Sequence, residues 1–150
     1  MSLHPQAIGP VPEETARVAR AVFRKGNLYL RIRDELGTIY DDPLFAALFP
    51  NVGQPALAPW RLALVCVFQF LEGLSDRQAA SAVRSRIDWK YILGLELTDP
   101  GFDFSVLTEF RTRLIAHEAE QHLLDVLIEQ FRSEERRVGK ECRSRWSPYH

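Results

Sequence analysis

Carboxylates and histidines are the residues of this chain that could bind a metal ion or transfer protons. A cluster near the C-terminal third contains His117, Glu118, Glu120 and His122. The two histidines are five residues apart, so they do not share a helix face as two metal ligands at i and i+4 would. We therefore interpret the cluster as solvated helix residues and predict no metal site there.

Four aspartates are the candidates for a nuclease centre, in which carboxylates hold two divalent ions about 4 Å apart. They are Asp41, Asp42, Asp99 and Asp103. Each has a simpler explanation, because the first pair precedes a proline at a helix start and the other two lie at a turn and a helix cap. We predict no catalytic residue and no cofactor in this chain.

Basic side chains are the candidates for contacts with nucleic acid. The densest group is Arg77, Arg84, Arg86 and Lys90, and a second group is Arg111 with Arg113. The first group lies on a predicted helix and its exit, after a tight turn. Such a helix-turn-helix-like arrangement is one that places a helix on DNA. The alternative, which the sequence leaves open, is that these residues form a solvated helix face.

One apolar segment must lie at the centre of the fold that positions these side chains. Residues 59–71 are apolar on almost every side, with Arg61 and Gln69 as polar interruptions. Such a helix is buried on most sides. Its 13 residues are too few to span a bilayer, which needs about 20. We predict an all-α, compact multi-helix domain built around this helix.

Short turns separate the helices that follow. Gly73 ends the buried helix, and Ser75 begins the next with Gln78 three residues later, which is a capping box. We expect Asp88 to cap a third, short helix and Ser105 to cap a fourth. The apolar face of this fourth helix contains Val106, Leu107, Phe110 and Leu114 and leaves Arg111 and Arg113 outside.

Three further helices are predicted upstream of the buried one. Residues 13–25 have apolar positions at helical spacing. Residues 28–36 also alternate as a strand would, and we favour a helix because no second strand is visible for pairing. A short helix is predicted from Asp41 to Phe49, because Pro43 suits a first turn. Residues 1–12, rich in proline, are predicted to be a flexible leader.

The last amphipathic segment ends near residue 131. Its apolar stripe is Leu123, Leu124, Leu127, Ile128 and Phe131. We expect this helix either to close the core or to pair with another chain. The domain is therefore predicted to cover residues 13–131.

The charge balance is unusual for a domain that would bind DNA strongly by itself. The net charge is -1, and 6 of the 19 basic and 3 of the 20 acidic residues fall in residues 132–150. Residues 1–131 therefore carry 13 basic against 17 acidic side chains. Since nucleic-acid-binding domains are usually basic, any DNA contact must come from a local patch.

Three motifs resemble one family of mobile-element proteins. They are the Gly73–Arg77 block GLSDR, the Trp89–Leu95 segment, and the D-x-S-x-L-x-x-F-R-x-R-L run from Asp103 to Leu114. Over residues 40–116 the chain resembles the InsH-type N-terminal domain of insertion-sequence transposases, which precedes a DDE-class catalytic core. Phe104 stands where that family often has histidine, and this change leaves the helix cap and the apolar stripe in place.

The resemblance implies a role in DNA transposition. It predicts a domain that helps to bind the terminal inverted repeats of the element, or to assemble the transposase on them. Catalysis, with divalent metal ions, would belong to a later ribonuclease-H-like domain, so we expect this cytoplasmic chain not to be an enzyme by itself. DNA and a second copy are the expected partners, without a membrane or small-molecule substrate. The alternative is a helical interaction or dimerisation module that does not contact DNA.

The tail, residues 132–150, is predicted to be disordered and not native to the protein. The amphipathic pattern stops at Phe131, and the composition changes at the same place. The tail also resembles a peptide that arises when adaptor or vector sequence is translated. The alternative is a basic arm for nucleic acid, which Glu134, Glu135 and Glu141 weaken.

Overall fold

The regular elements of the computed structural model, which describes residues 8–40, 45, 58–116, 118–130 and 132, are all helices. In chain order they are α1 Glu13–Val22, α2 Leu28–Leu36, α3 Pro59–Glu72, α4 Asp76–Ser85, α5 Ile87–Leu93 and α6 Phe104–Ala116. A further helix, α7, covers residues 120–130. The all-α prediction is confirmed, and residues 28–36 form a helix and not a strand.

Helix α3 supplies most of the core, as its composition predicts. Its buried side chains include Trp60, Leu62, Leu64, Val65 and Phe68, and it packs against α4 and α6. The Phe68 ring lies 4.7 Å from the Tyr29 ring and 5.4 Å from the Trp89 ring, measured between centroids. Phe68 therefore joins α2, α3 and α5. The last turn is different, because Phe70 is 86% exposed.

Helices α1 and α2 both pack against α5 on one side of the domain. A small second apolar cluster, formed by Ala19, Leu30 and Tyr91, fills the space between them. Buried Thr15 donates a hydrogen bond of 2.7 Å to the carbonyl of Leu95. This bond satisfies a buried hydroxyl and fixes α1 to the end of α5.

The helix boundaries differ from the sequence-based prediction at three points. Helix α1 ends at Val22 and does not reach Lys25. Helix α5 begins at Ile87, so Asp88 lies inside the helix and is buried. Helix α6 is capped by Asp103 and not by Ser105, because the Asp103 carboxylate accepts from the Ser105 backbone N–H at 3.0 Å. An acceptor just before the first turn satisfies an amide that has no partner in the helix.

Helix α7 closes one part of the core with the buried Leu123 and the partly buried Val126. Leu123 is buried, and its carbonyl accepts a 2.9 Å hydrogen bond from the hydroxyl of Tyr40, which follows α2. Leu124 and Ile128 stay 47% and 44% exposed, so the predicted stripe is only partly turned inward. The helix predicted from Asp41 to Phe49 lies outside the described residues except for buried Phe45.

Other predictions also concern residues outside the described part of the chain. They include most of the leader, the side chain of Phe131, and residues 133–150 of the tail.

Two phenylalanines on α3 allow a matched test of the core. We expect Phe68→Ala to lower the free energy of unfolding by about 3 to 5 kcal/mol, because it removes a ring packed between two others. Phe70→Ala on the same helix should change it by less than about 0.5 kcal/mol, because that ring is exposed. Urea denaturation of both variants checks this. Equal losses would show that α3 is not the centre of the fold.

Candidate nucleic-acid interface

The turn between α3 and α4 is fixed by backbone and side-chain hydrogen bonds. Gly73 adopts the left-handed conformation, with φ 67° and ψ 41°, and the N–H of Leu74 bonds to the carbonyl of Gln69 at 2.9 Å. Ser75 Oγ accepts from the Gln78 N–H at 3.2 Å, and the Gln78 side chain accepts from the Ser75 N–H at 2.9 Å. The predicted capping box is therefore formed in both directions.

Helix α4 has a small apolar inner face and a polar outer face. Its inner face consists of Ala79, Ala80, Ala82 and Val83, which are buried. Small side chains allow close packing, and α4 contacts α3, α5 and α6. The exposed residues are Arg77, Gln78, Ser81, Arg84 and Ser85. This outer face is the one surface of α4 that is available to a partner.

The two arginines of the outer face are held next to α6 and the turn before it. The Arg77 guanidinium lies 4.2 Å from the centre of the Phe104 ring, and Arg84 Nε donates to the Pro100 carbonyl at 3.3 Å. Hydrogen bonds from Ser105, and then the charges of Arg77 and Arg84, lower the pKa of Asp103. Both arginines therefore lie near one exposed carboxylate.

Arg86 is engaged inside the domain and does not project from it. It pairs with Glu72 at 2.6 Å and with Asp88 at 2.7 Å. Its guanidinium also lies 5.0 Å from the centre of the Trp89 ring. Although burial opposes the charge, the hydrogen bonds that Arg86 donates to Asp88 and Glu72 raise the pKa of Arg86. Its position at the α4–α5 junction makes it a link between α3, α4 and α5.

Lys90 lies inside the fold, so the structure contradicts its place on a DNA-binding surface. The residue is 2% exposed, and its Nζ donates to the carbonyl of Asp99 at 2.7 Å. Burial lowers the pKa of Lys90. A lysine held in this way fixes the turn before α6 and cannot reach a phosphate without leaving its site.

Arg111 is likewise committed to a partner within the domain. Its Nη1 and Nη2 donate to the two oxygens of Asp76, each at 2.8 Å. Asp76 also accepts from Thr108 at 2.7 Å and from Gln69 at 2.7 Å. The hydrogen bonds from Arg111 lower the pKa of Asp76, against the effect of burial.

Arg113 is partly buried and donates to Glu109, one turn earlier, at 3.1 Å. The buried side chains of α6 are Leu107, Phe110 and Leu114, so both arginines lie outside the packed face. They are only partly exposed, however, and each makes a side-chain bond within the domain.

Sequence analysis missed Asp76 as the central polar residue of this region. Asp76 lies in the first turn of α4, where the sequence indicates only a favourable interaction with the helix dipole. Its partners lie 7, 32 and 35 residues away in sequence, in α3 and α6. No local pattern indicates such distant pairs. The stacking of Arg77 on Phe104 was missed for the same reason.

The aspartates that remained as candidates for chemistry act in turns. Asp99 Oδ1 accepts from the Gly101 N–H at 2.8 Å, and Asp103 caps α6. Within the described residues no group of three histidine, cysteine, aspartate or glutamate side chains is arranged to hold a metal ion. Asp41, Asp42 and His117 lie outside the described residues. Among the helices described here, none has the length and apolarity needed to cross a membrane.

Comparison with known protein families identifies the chain. The family described as "Transposase domain (DUF772)" matches residues 18–113, which is more than half of the chain. The chain belongs to this transposase domain family. The match runs from α1 to α6 and includes the α3–α4 turn. Searches of curated proteins and of solved structures found no match.

The Asp76–Arg111 pair of this transposase domain should make its stability depend on pH. Because the pKa of Asp76 is lowered in the folded state, the pair contributes fully above about pH 5 and is lost as the pH falls below about 4. We expect Asp76→Asn to lower the free energy of unfolding at pH 7 by about 1 to 3 kcal/mol. The variant should also lose part of the acid dependence between pH 5 and pH 2.

Urea denaturation at a series of pH values measures this effect. Asp125→Asn, on the exposed side of α7, is the matched control and should keep the pH profile of the parent protein. Parallel profiles for Asp76→Asn and the parent would contradict the role given to Asp76.

Proposed function

We propose that the outer face of α4 contacts the DNA backbone and so helps the transposase to bind the terminal inverted repeats of an insertion sequence. The observation that carries the proposal is the pair of exposed arginines on one face of a helix that follows a tight turn. Family membership supports a transposase-related role, and the DNA contact is our inference from the geometry of α4.

The spacing of the two arginines suits a run of phosphates. Arg77 and Arg84 are seven residues apart, which is about 10 Å along a helix axis. Successive phosphates on one DNA strand rise by about 3.4 Å along the duplex axis. The pair therefore spans roughly three nucleotides. Ser81 lies on the same face and offers a hydroxyl group of the kind that often binds a phosphate oxygen.

Fewer residues are available for DNA contact than the sequence predicted. Arg86 and Arg111 are held by carboxylates, and Lys90 is buried. Their structural role is to fix α4 against α3, α5 and α6. We therefore assign the direct contacts to Arg77 and Arg84 only. Strand cutting and joining, with its divalent metal ions, is left in this proposal to a separate ribonuclease-H-like domain.

Two phosphate contacts by one copy predict weak binding. Each phosphate contact contributes about 0.9 to the slope of log K against log salt. The expected slope is therefore about -2, far shallower than that of proteins with six to ten contacts. The acidic balance of residues 1–131 acts in the same direction. Strong binding to an element's end would need several copies or other parts of the transposase.

The competing function is a helical interaction module without DNA contact. The engagement of Arg86, Arg111 and Arg113 inside the domain favours it, because these arginines serve folding. So does the exposure of Phe70 at the end of α3. The two functions differ in what the domain binds: the DNA contact predicts binding to a duplex with a salt slope of about -2, whereas the interaction module predicts no binding to the duplex.

A salt series with arginine variants tests the DNA contact. We expect Arg77→Ala with Arg84→Ala to weaken binding to a mixed-sequence DNA duplex and to make the salt slope shallower by about 2. Arg17→Ala on α1 is the matched control, because Arg17 is also exposed but is paired with Glu14. It should leave affinity and slope close to those of the parent protein. Fluorescence anisotropy measures both quantities.

Circular dichroism would check that each variant keeps its helical content. A double variant that is folded and binds with the parent's affinity and slope would exclude α4 as the contact and favour the interaction module.

A further inference from the structure

Outside α4, one segment of the chain is purely basic and another is purely acidic. Residues 15–33 contain six arginine or lysine side chains and no aspartate or glutamate. Residues 118–130 contain four aspartate or glutamate side chains and no arginine or lysine. The first segment covers most of α1, the following turn and the start of α2. The second covers α7.

The basic segment carries an exposed tip, which we call the basic turn and which consists of Val22, Arg24, Lys25 and Leu28. Val22 and Leu28 are 55% and 57% exposed, and Arg24 and Lys25 are exposed between them. No hydrogen bond or ion pair joins the side chains of Arg24 or Lys25 to another described residue. The tip therefore combines two apolar side chains with two cations.

Helix α7 carries the complementary surface, which we call the acidic face and which consists of Glu120, Leu124, Asp125 and Ile128. Glu120, Leu124 and Ile128 follow one another at intervals of four residues, so they lie along one side of the helix. Asp125 borders this side, and all four residues are exposed. The acidic face thus combines two apolar side chains with two carboxylates.

The two surfaces are anchored near opposite ends of α2, and no ion pair joins them among the described residues. Asn27, just before α2, donates to Asp88, and Tyr40, after α2, donates to the backbone of Leu123. The nine residues of α2 separate these positions by about 13 Å. The basic turn lies at the first end, and α7 is anchored at the second.

We propose that the basic turn of one copy docks on the acidic face of a second copy. The opposite charges orient the contact, and the paired apolar side chains supply the surface that is buried. Because the two surfaces are different, the contact is head-to-tail and leaves one free surface at each end of the assembly. Copies would therefore add to one another, independently of whether α4 binds DNA.

The size of the surfaces predicts a weak association. Four residues on each side are far fewer than the roughly 20 to 30 that each partner contributes to a stable interface. The contact should therefore depend on protein concentration and on salt, which screens exposed charges beyond about 10 Å at 0.1 M. Copies held close together on one DNA molecule would meet at a high local concentration.

Charge reversal tests this contact with the full chain in sedimentation equilibrium. We expect the parent to self-associate as its concentration rises, and less so at high salt. Arg24→Glu with Lys25→Glu, and separately Glu120→Lys with Asp125→Lys, should each weaken the association about tenfold or more, because like charges then meet. An equimolar mixture of the two variants should associate again, since each variant now complements the other.

The matched control is Arg17→Glu, an exposed reversal elsewhere in the basic segment, which should associate as the parent does. A parent that stays monomeric, or a mixture that fails to associate although both variants keep their helical content, would overturn the proposal. So would an Arg24→Glu, Lys25→Glu variant that associates normally and loses DNA binding, because the turn would then be a DNA contact.

Discussion

The hydrogen bonds accepted by the Asp76 carboxylate are the interaction on which the arrangement of the helices most depends. Asp76 lies in the first turn of α4, where its negative charge also interacts favourably with the positive end of the helix dipole. Arg111 and Thr108 bind it from α6, and Gln69 binds it from α3. One partly buried charge thus fixes three helices relative to one another. A carboxylate in such a site is stable only with these donors, because an unpaired buried charge is costly.

Several basic side chains of the domain hold its helices together. Arg86 links the end of α3 to the α4–α5 junction, and Lys90 fixes the turn before α6. Arg86 pairs with two carboxylates and Lys90 with a backbone carbonyl, so neither charge is available to a partner. A partner can contact only the cations that stay exposed. Where these cations lie, and not the net charge of the chain, therefore determines which surfaces can bind a partner.

Two of the surfaces that carry exposed cations have different neighbours. Arg77 and Arg84 lie on the outer face of α4, opposite the small buried alanines of its inner face. Arg24 and Lys25 lie at the α1–α2 turn, next to exposed Val22 and Leu28. Apolar neighbours suit a protein partner, whereas hydroxyl neighbours such as Ser81 suit phosphate. The two proposed contacts, with DNA and with a second copy, would therefore use different surfaces of the domain.

The sequence by itself determined the helical class, the central place of α3, and the Ser75–Gln78 capping box. These features depend on neighbours within a few residues, where periodicity and capping rules apply. Only the tertiary structure decided that Arg111 pairs with Asp76 and that Lys90 is buried. It also decided that Phe70 is exposed although its helix is apolar on most sides. The physical reason is that burial and ion pairing depend on which helices come together, and short sequence patterns carry no record of those distant contacts.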